Sequence, residues 1–99
     1  MALSRAGELL KSAREEILRI AAKHGARNVR VFGSMARGDA GENSDVDFLI
    51  DLEADRSLLD IAALQVDLRE LLGRNVDVVT EDGLYWLLRR RILKEARPL

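Results

Sequence analysis

Apolar residues recur at three- and four-residue intervals from about Ser4 to Lys23. Leu9, Leu10, Ala13, Ile17, Ile20 and Ala21 line one face, which predicts an amphipathic helix. Ser4 suits its N-cap, and Gly25 can end it in a left-handed turn. Asn28 to Phe32 is short, β-branched and alternating, hence a strand. It runs into Gly33-Ser34, where Ser34 suits the N-cap of a short helical turn through Arg37 that Gly38 stops. Asp39 to Ser44 is polar and reads as a loop. In Asp45 to Leu52, Val46, Phe48 and Ile50 share one strand face, and Asp45, Asp47, Leu49 and Asp51 the other. Ser57-Leu58-Leu59-Asp60 has the form of a capping box with Asp for Glu. It opens a helix to about Leu72 that Gly73 closes. Asn75 to Thr80 is a third strand, and Leu84 to about Ala96 a last helix.

This order predicts an α/β (α+β) fold with a small mixed sheet of about three strands flanked by helices. The first two strands can pair antiparallel across the loop. The helix between the second and third makes those two parallel through a right-handed crossover. Over 99 residues there are no repeats, and the only proline is Pro98, so residues 1–99 are expected to form a single domain. A domain of this size buries little surface, and a partner or self-association, as a homo- or hetero-oligomer, would help it.

Composition narrows the chemistry by exclusion. The net charge of −1 gives no basic excess, which argues against a dedicated nucleic-acid binder. With no cysteine and one histidine, neither thiol catalysis nor a zinc site is expected. The first apolar run is broken by Arg5, Glu8 and Lys11, so nothing reads as a signal peptide. No stretch reads as a membrane span, and the expected location is cytoplasmic.

The informative residues are acidic. Asp45 and Asp47 lie two apart on one strand face, where like charges repel unless a cation sits between them. Asp77 stands between Val76 and Val78, where a sheet interior disfavours Asp. If the third strand runs parallel beside the second, Asp77 joins the pair. Three such carboxylates would form a hard oxygen site for Mg²⁺ or Mn²⁺, suited to two ions. An isolated Asp-x-Asp is more often a solvated strand end, as Asp51 is expected to be. Upstream, Gly33 allows close backbone approach, and Ser34 adds a hydroxyl where N–H groups face outward. Arg37, one turn on, can add positive charge. Alone, Gly-Ser is an ordinary helix start; beside the carboxylates it reads as a triphosphate cradle.

Gly33-Ser34-Met35-Ala36-Arg37-Gly38 followed by Ser44-Asp45-Val46-Asp47, with Asp77 later, resembles the DNA-polymerase-beta-like nucleotidyltransferase superfamily. Among its branches the chain looks like the minimal nucleotidyltransferases of bacteria and archaea, over essentially its whole length. The resemblance implies that Asp45, Asp47 and Asp77 are the catalytic metal ligands, with Asp47 bridging two Mg²⁺ ions. It implies that Gly33 and Ser34 contact the triphosphate, and that ATP is the default donor. Minimal members are usually encoded beside a HEPN-type RNase toxin, and in some pairs the transferase adenylylates a tyrosine of that toxin. The chain shows no accessory domain for an acceptor, which points to an acceptor on another chain. Two alternatives stand beside this: an antitoxin that neutralises by binding alone, and the catalytic subunit of a two-chain small-molecule or RNA nucleotidyltransferase.

The helices from Leu58 to Leu72 and from Leu84 onward carry more apolar residues than one stripe needs. Most of these are expected in the core, with Trp86 at a contact. Arg89-Arg90-Arg91 reads as a solvated face. His24 reads as a partner of a helix end rather than a ligand.

Overall fold

The computed structural model describes residues 5–41, 43–84 and 86–99. The Ser4 cap, Tyr85 and the placement of the Trp86 side chain fall outside what it describes. Helix α1 (Arg5–Lys23) leads into β1 (Ala26–Phe32), and the short helix α2 (Ser34–Arg37) separates it from β2 (Val46–Leu52). Helix α3 (Leu58–Leu72) then crosses to β3 (Val76–Thr80). A 3-10 turn (Glu81–Gly83), helix α4 (Trp86–Glu95) and a two-residue strand β4 (Arg97–Pro98) complete the order.

Among the described residues the sheet has four strands in the order β3-β2-β1-β4, one more than the alternation predicts. As expected, β1 pairs antiparallel with β2, and β2 pairs parallel with β3. The additional strand is held on the free edge of β1. Arg30 pairs with Pro98, Val31 pairs with Arg97, and Leu99 N–H donates to Val29 O at 3.1 Å. Two residues, one of them proline, carry no alternation from which a strand could be read.

Helices α1 and α3 cover one sheet face. Leu10, Ile17 and Ala21 of α1 and Leu64, Leu68 and Leu72 of α3 close over Val46, Phe48, Ile50, Val76 and Val78. The i, i+4, i+8 spacing in α3 gives that helix one continuous buried stripe. The capping box forms as read: Leu59 N–H donates to Ser57 Oγ and Ser57 N–H to Asp60 Oδ2. Gly73 ends the helix with φ +64°.

Leu9, Ala13, Leu18, Ile20 and Ile61 pack partly against this core, but several apolar residues of α3 and α4 do not. Leu58 and Leu59 are 80% and 82% exposed, and Val66, Leu71, Leu87, Leu88 and Leu93 also face outward. A three-layer arrangement would bury a second stripe of α3. Here the helix has the sheet on one side only, so its second stripe stays in water. Leu49, on the aspartate side of β2, is fully buried despite its charged neighbours.

β3 is an edge strand, and α3 satisfies part of its free edge. Gln65 accepts from Val78 N–H at 2.8 Å, and Arg69 donates twice to Val76 O, at 3.1 and 3.3 Å. These bonds stand where a neighbouring strand would pair, blunting the edge and fixing the backbone on either side of Asp77. Arg74, just past α3, donates to Gly41 O at 2.9 Å and Ser44 O at 3.3 Å, pinning the loop before Asp45. His24 stays at the end of α1, with Nε2 2.6 Å from Asp67 Oδ2 of α3.

Candidate functional site

With Val46, Phe48 and Ile50 in the core, strand alternation turns Asp47 to the face that α1 and α3 leave free. The parallel register sets Asp47 directly opposite Asp77. Asp45 precedes the strand and is exposed, as is Asp77, while Asp47 is half-buried. Burial, and then the charges of Asp77 and Asp45, push the Asp47 carboxyl above its ordinary range. Arg37 pulls it partly back. The three carboxylates and Arg37 therefore share one electrostatic neighbourhood.

Gly33 closes the site from β1. Phe32 is the register partner of Asp47, so the chain leaves the sheet beside that aspartate. Gly33 turns with φ +69° and ψ −148°, a combination close to glycine's own. A Cβ there would lie 2.6 Å from Asp47 Oδ2. Glycine is thus required twice, by the backbone and by the carboxylate against it. Gly33 rather than Ser34 occupies the N-cap position of α2, and no side chain caps that helix. The reading of Ser34 as N-cap is corrected: the turn begins one residue sooner, and Ser34 is the first helical residue.

Arg37 is exposed, yet its guanidinium is engaged by two carboxylates. Its Nη1 donates to Glu95 Oε1 at 2.9 Å and its Nε to Asp39 Oδ2 at 3.3 Å. Glu95 also accepts from Gly33 N–H, at 3.3 Å to Oε2. Sequence reading passed over Glu95. A carboxylate in the last turn of a helix opposes the helix dipole, and that was the available sign of a specific partner.

The donor chemistry fits a divalent hard cation. The ligand atoms on offer are carboxylate oxygens alone, and Asp47 carries repulsion that a cation would relieve. Among the described residues no three His, Cys, Asp or Glu side chains stand arranged as a finished metal cage. Mg²⁺ rarely needs one: it is held by one or two carboxylates plus waters and substrate phosphates. The aspartate face is also open. A polar cleft of about 440 Å³ is lined by Asn43, Arg69, Gly73, Arg74 and Asn75, and none of the three aspartates lines it. No helix among the described residues is long and apolar enough to cross a membrane.

Known proteins resemble this chain in sequence and fold. The nucleotidyltransferase domain family matches residues 10–99. A protein of Methanocaldococcus jannaschii, whose name of protein adenylyltransferase is itself an inference, is 40% identical over 87 residues, 88% of this chain and 94% of that one. The protein adenylyltransferase MntA of Thermococcus cleftensis is 42% identical over 73 residues, 74% of each chain. A solved chain assigned as a minimal nucleotidyltransferase is 52% identical with a TM-score of 0.84, over 94% of this chain and 95% of that one. A toxin–antitoxin structure with AMP-PNP shares the fold, with a TM-score of 0.73 at 19% identity over 85% of this chain and 69% of that one.

Proposed function

Because this chain belongs to the nucleotidyltransferase family, as a minimal member of the DNA-polymerase-beta-like superfamily, we propose that it moves the adenylyl group of ATP onto a hydroxyl of a partner protein. The observation that carries this reading is the register of β2 on β3, which sets Asp47 against Asp77 on the open face beside Gly33. The names of the two curated relatives support protein as the acceptor class.

In this reading the triphosphate lies along Gly33 and Ser34, with Arg37 adding charge. Two Mg²⁺ ions held by Asp45, Asp47 and Asp77 would neutralise the triphosphate and acidify the acceptor hydroxyl. The hydroxyl oxygen attacks the α-phosphorus, the bond from that phosphorus to the β-bridging oxygen breaks, and pyrophosphate leaves. The hydroxyl proton passes to Asp77, whose exposure lets it hand the proton on to water. Most of the rate gain comes from positioning and charge neutralisation. The open aspartate face suits an acceptor brought by another chain. We propose a HEPN-type toxin as that partner; the toxin–antitoxin setting of the fold relative that holds AMP-PNP motivates the test.

The test combines the purified chain, its co-encoded neighbour, Mg²⁺, and ATP labelled at either the α- or the γ-phosphate. Label on the neighbour from α-labelled ATP only, lost in Asp47→Asn, supports the proposal. Label from γ-labelled ATP would mean phosphoryl transfer and overturn it. A tight complex without label from either would favour neutralisation by binding alone.

A further inference from the structure

The Gly33 N–H and the Arg37 guanidinium, both assigned above to the triphosphate, already hold an anion. The Glu95 carboxylate reaches Gly33 with one oxygen, at 3.3 Å, and Arg37 with the other, at 2.9 Å. Its side chain is only 19% exposed. A carboxylate shared between a backbone N–H and a guanidinium offers the same charge and acceptor geometry as two phosphate oxygens.

The placement follows from the C-terminal architecture. Pairing of β4 with the outer edge of β1 fixes the chain two residues past Glu95, on the strand that leads into Gly33. The last residue of α4 is thereby suspended over the start of α2. A glutamate at that position works against the dipole of its own helix, so its stability comes from these partners. Arg37 and the Gly33 N–H both hold its carboxyl below the usual carboxylate range, with the Arg37 hydrogen bond the largest influence.

Resting on the functional reading above, we infer that Glu95 is an internal occupant of the phosphate position, holding Gly33 and Arg37 in the nucleotide-free protein and yielding both to the incoming triphosphate. Nucleotide binding is then an exchange of anions. The apparent affinity is reduced by the fraction of molecules in which Glu95 is seated. The pair is partly solvated, and such pairs are weak enough to be displaced, with an expected effect of about three- to fivefold. Arg37 keeps Asp39 as a partner when Glu95 leaves, so it need not lose its orientation.

Calorimetric titration with AMP-PNP and Mg²⁺ on wild type, Glu95→Gln and Glu95→Ala tests this, with AMP and Mg²⁺ as the parallel ligand. Thermal melts confirm that the variants are folded. The inference predicts that both substitutions tighten AMP-PNP binding about three- to fivefold and leave AMP binding unchanged, because only the longer ligand competes with Glu95. Weaker AMP-PNP binding in Glu95→Ala would mean that Glu95 braces Arg37 for the nucleotide, and would overturn the inference. Equal tightening of both ligands would overturn it too, since the effect would not lie at the β- and γ-phosphates. Wild type that binds AMP-PNP no differently from the variants would remove the inference alone. Failure of every form to bind AMP-PNP would remove the nucleotide reading of the site, and the inference with it.

Discussion

Replacing Gly33 with alanine separates the two demands that this position makes. The backbone demand is φ +69° with ψ −148°, which costs a residue bearing a Cβ about 1–3 kcal/mol. Alanine also stiffens the unfolded chain, worth roughly 0.4–1 kcal/mol in the opposite direction. A net loss of about 1–2 kcal/mol follows, a drop of roughly 4–8 °C in Tm per kcal/mol for a domain of this length. The second demand is steric. A Cβ would stand 2.6 Å from Asp47 Oδ2, so that oxygen must retreat by roughly 1 Å to reach ordinary contact. A displacement of that size at a reacting centre costs about 10²-fold in rate. Gly73 is the internal control. It also has positive φ, at +64°, but a Cβ there meets nothing within 4 Å. Gly73→Ala should lose about 1 kcal/mol of stability and keep its transfer rate. Gly33→Ala should lose a similar stability and about two orders of magnitude in rate. Thermal unfolding and transfer from α-labelled ATP, run on both variants, provide the comparison. Equal rates in the two would refute the reasoning that Gly33 matters through Asp47.

Asp47→Asn should abolish transfer and raise stability. Burial, then Asp77 and Asp45, raise the Asp47 carboxyl, so the folded protein holds that proton more tightly than the unfolded chain does. The stability contribution of this group is therefore greatest below the ordinary carboxylate pKa of about 4 and falls as pH rises through the raised value. Without Mg²⁺ the variant should melt a few degrees above wild type at pH 7, with the gap closing below about pH 4; a gap independent of pH counts against the electrostatic account. Arg69→Ala removes both bonds to Val76 O and should cost roughly 1–2 kcal/mol by urea unfolding; no change would mean that the β3 edge does not depend on α3. Leu64→Ala, at a fully buried position of α3, should cost about 2–5 kcal/mol, and a loss under 1 would contradict the core described here.

Local signals gave most of the fold to a reader of the sequence. The apolar spacing of Leu10, Ile17 and Ala21 and the Ser57–Asp60 box mark helices whose chemistry is local. The alternation around Asp47 survives because one strand face is buried under α1 and α3. What escaped depends on distant partners. β4 exists only because the edge of β1 is free, and neither Arg97 nor Pro98 carries a strand signal. The outward leucines of α3 and α4 look like core residues, because composition says nothing of how many layers will cover a helix. At the candidate site, Asp45, Asp47 and Gly33 were legible from local spacing, since short motifs encode their own geometry, and Asp77 from its place inside a strand that pairs parallel with β2. Gln65, Arg69 and Arg74 act through backbone carbonyls and N–H groups. Such contacts leave no pattern in side-chain chemistry, and the Glu95 contact with Gly33 spans 62 positions.

In the proposed function, the Asp45, Asp47 and Asp77 face holds the cations that accompany the nucleotide. Mn²⁺ in place of Mg²⁺ makes that face visible: electron paramagnetic resonance counts free Mn²⁺ as the purified chain is titrated with AMP-PNP present. Wild type should sequester Mn²⁺ in a nucleotide-dependent manner, and the double variant Asp45→Asn, Asp47→Asn should leave no more bound than AMP-PNP alone holds. Equal sequestration by the two proteins would place the cations elsewhere and contradict the claim.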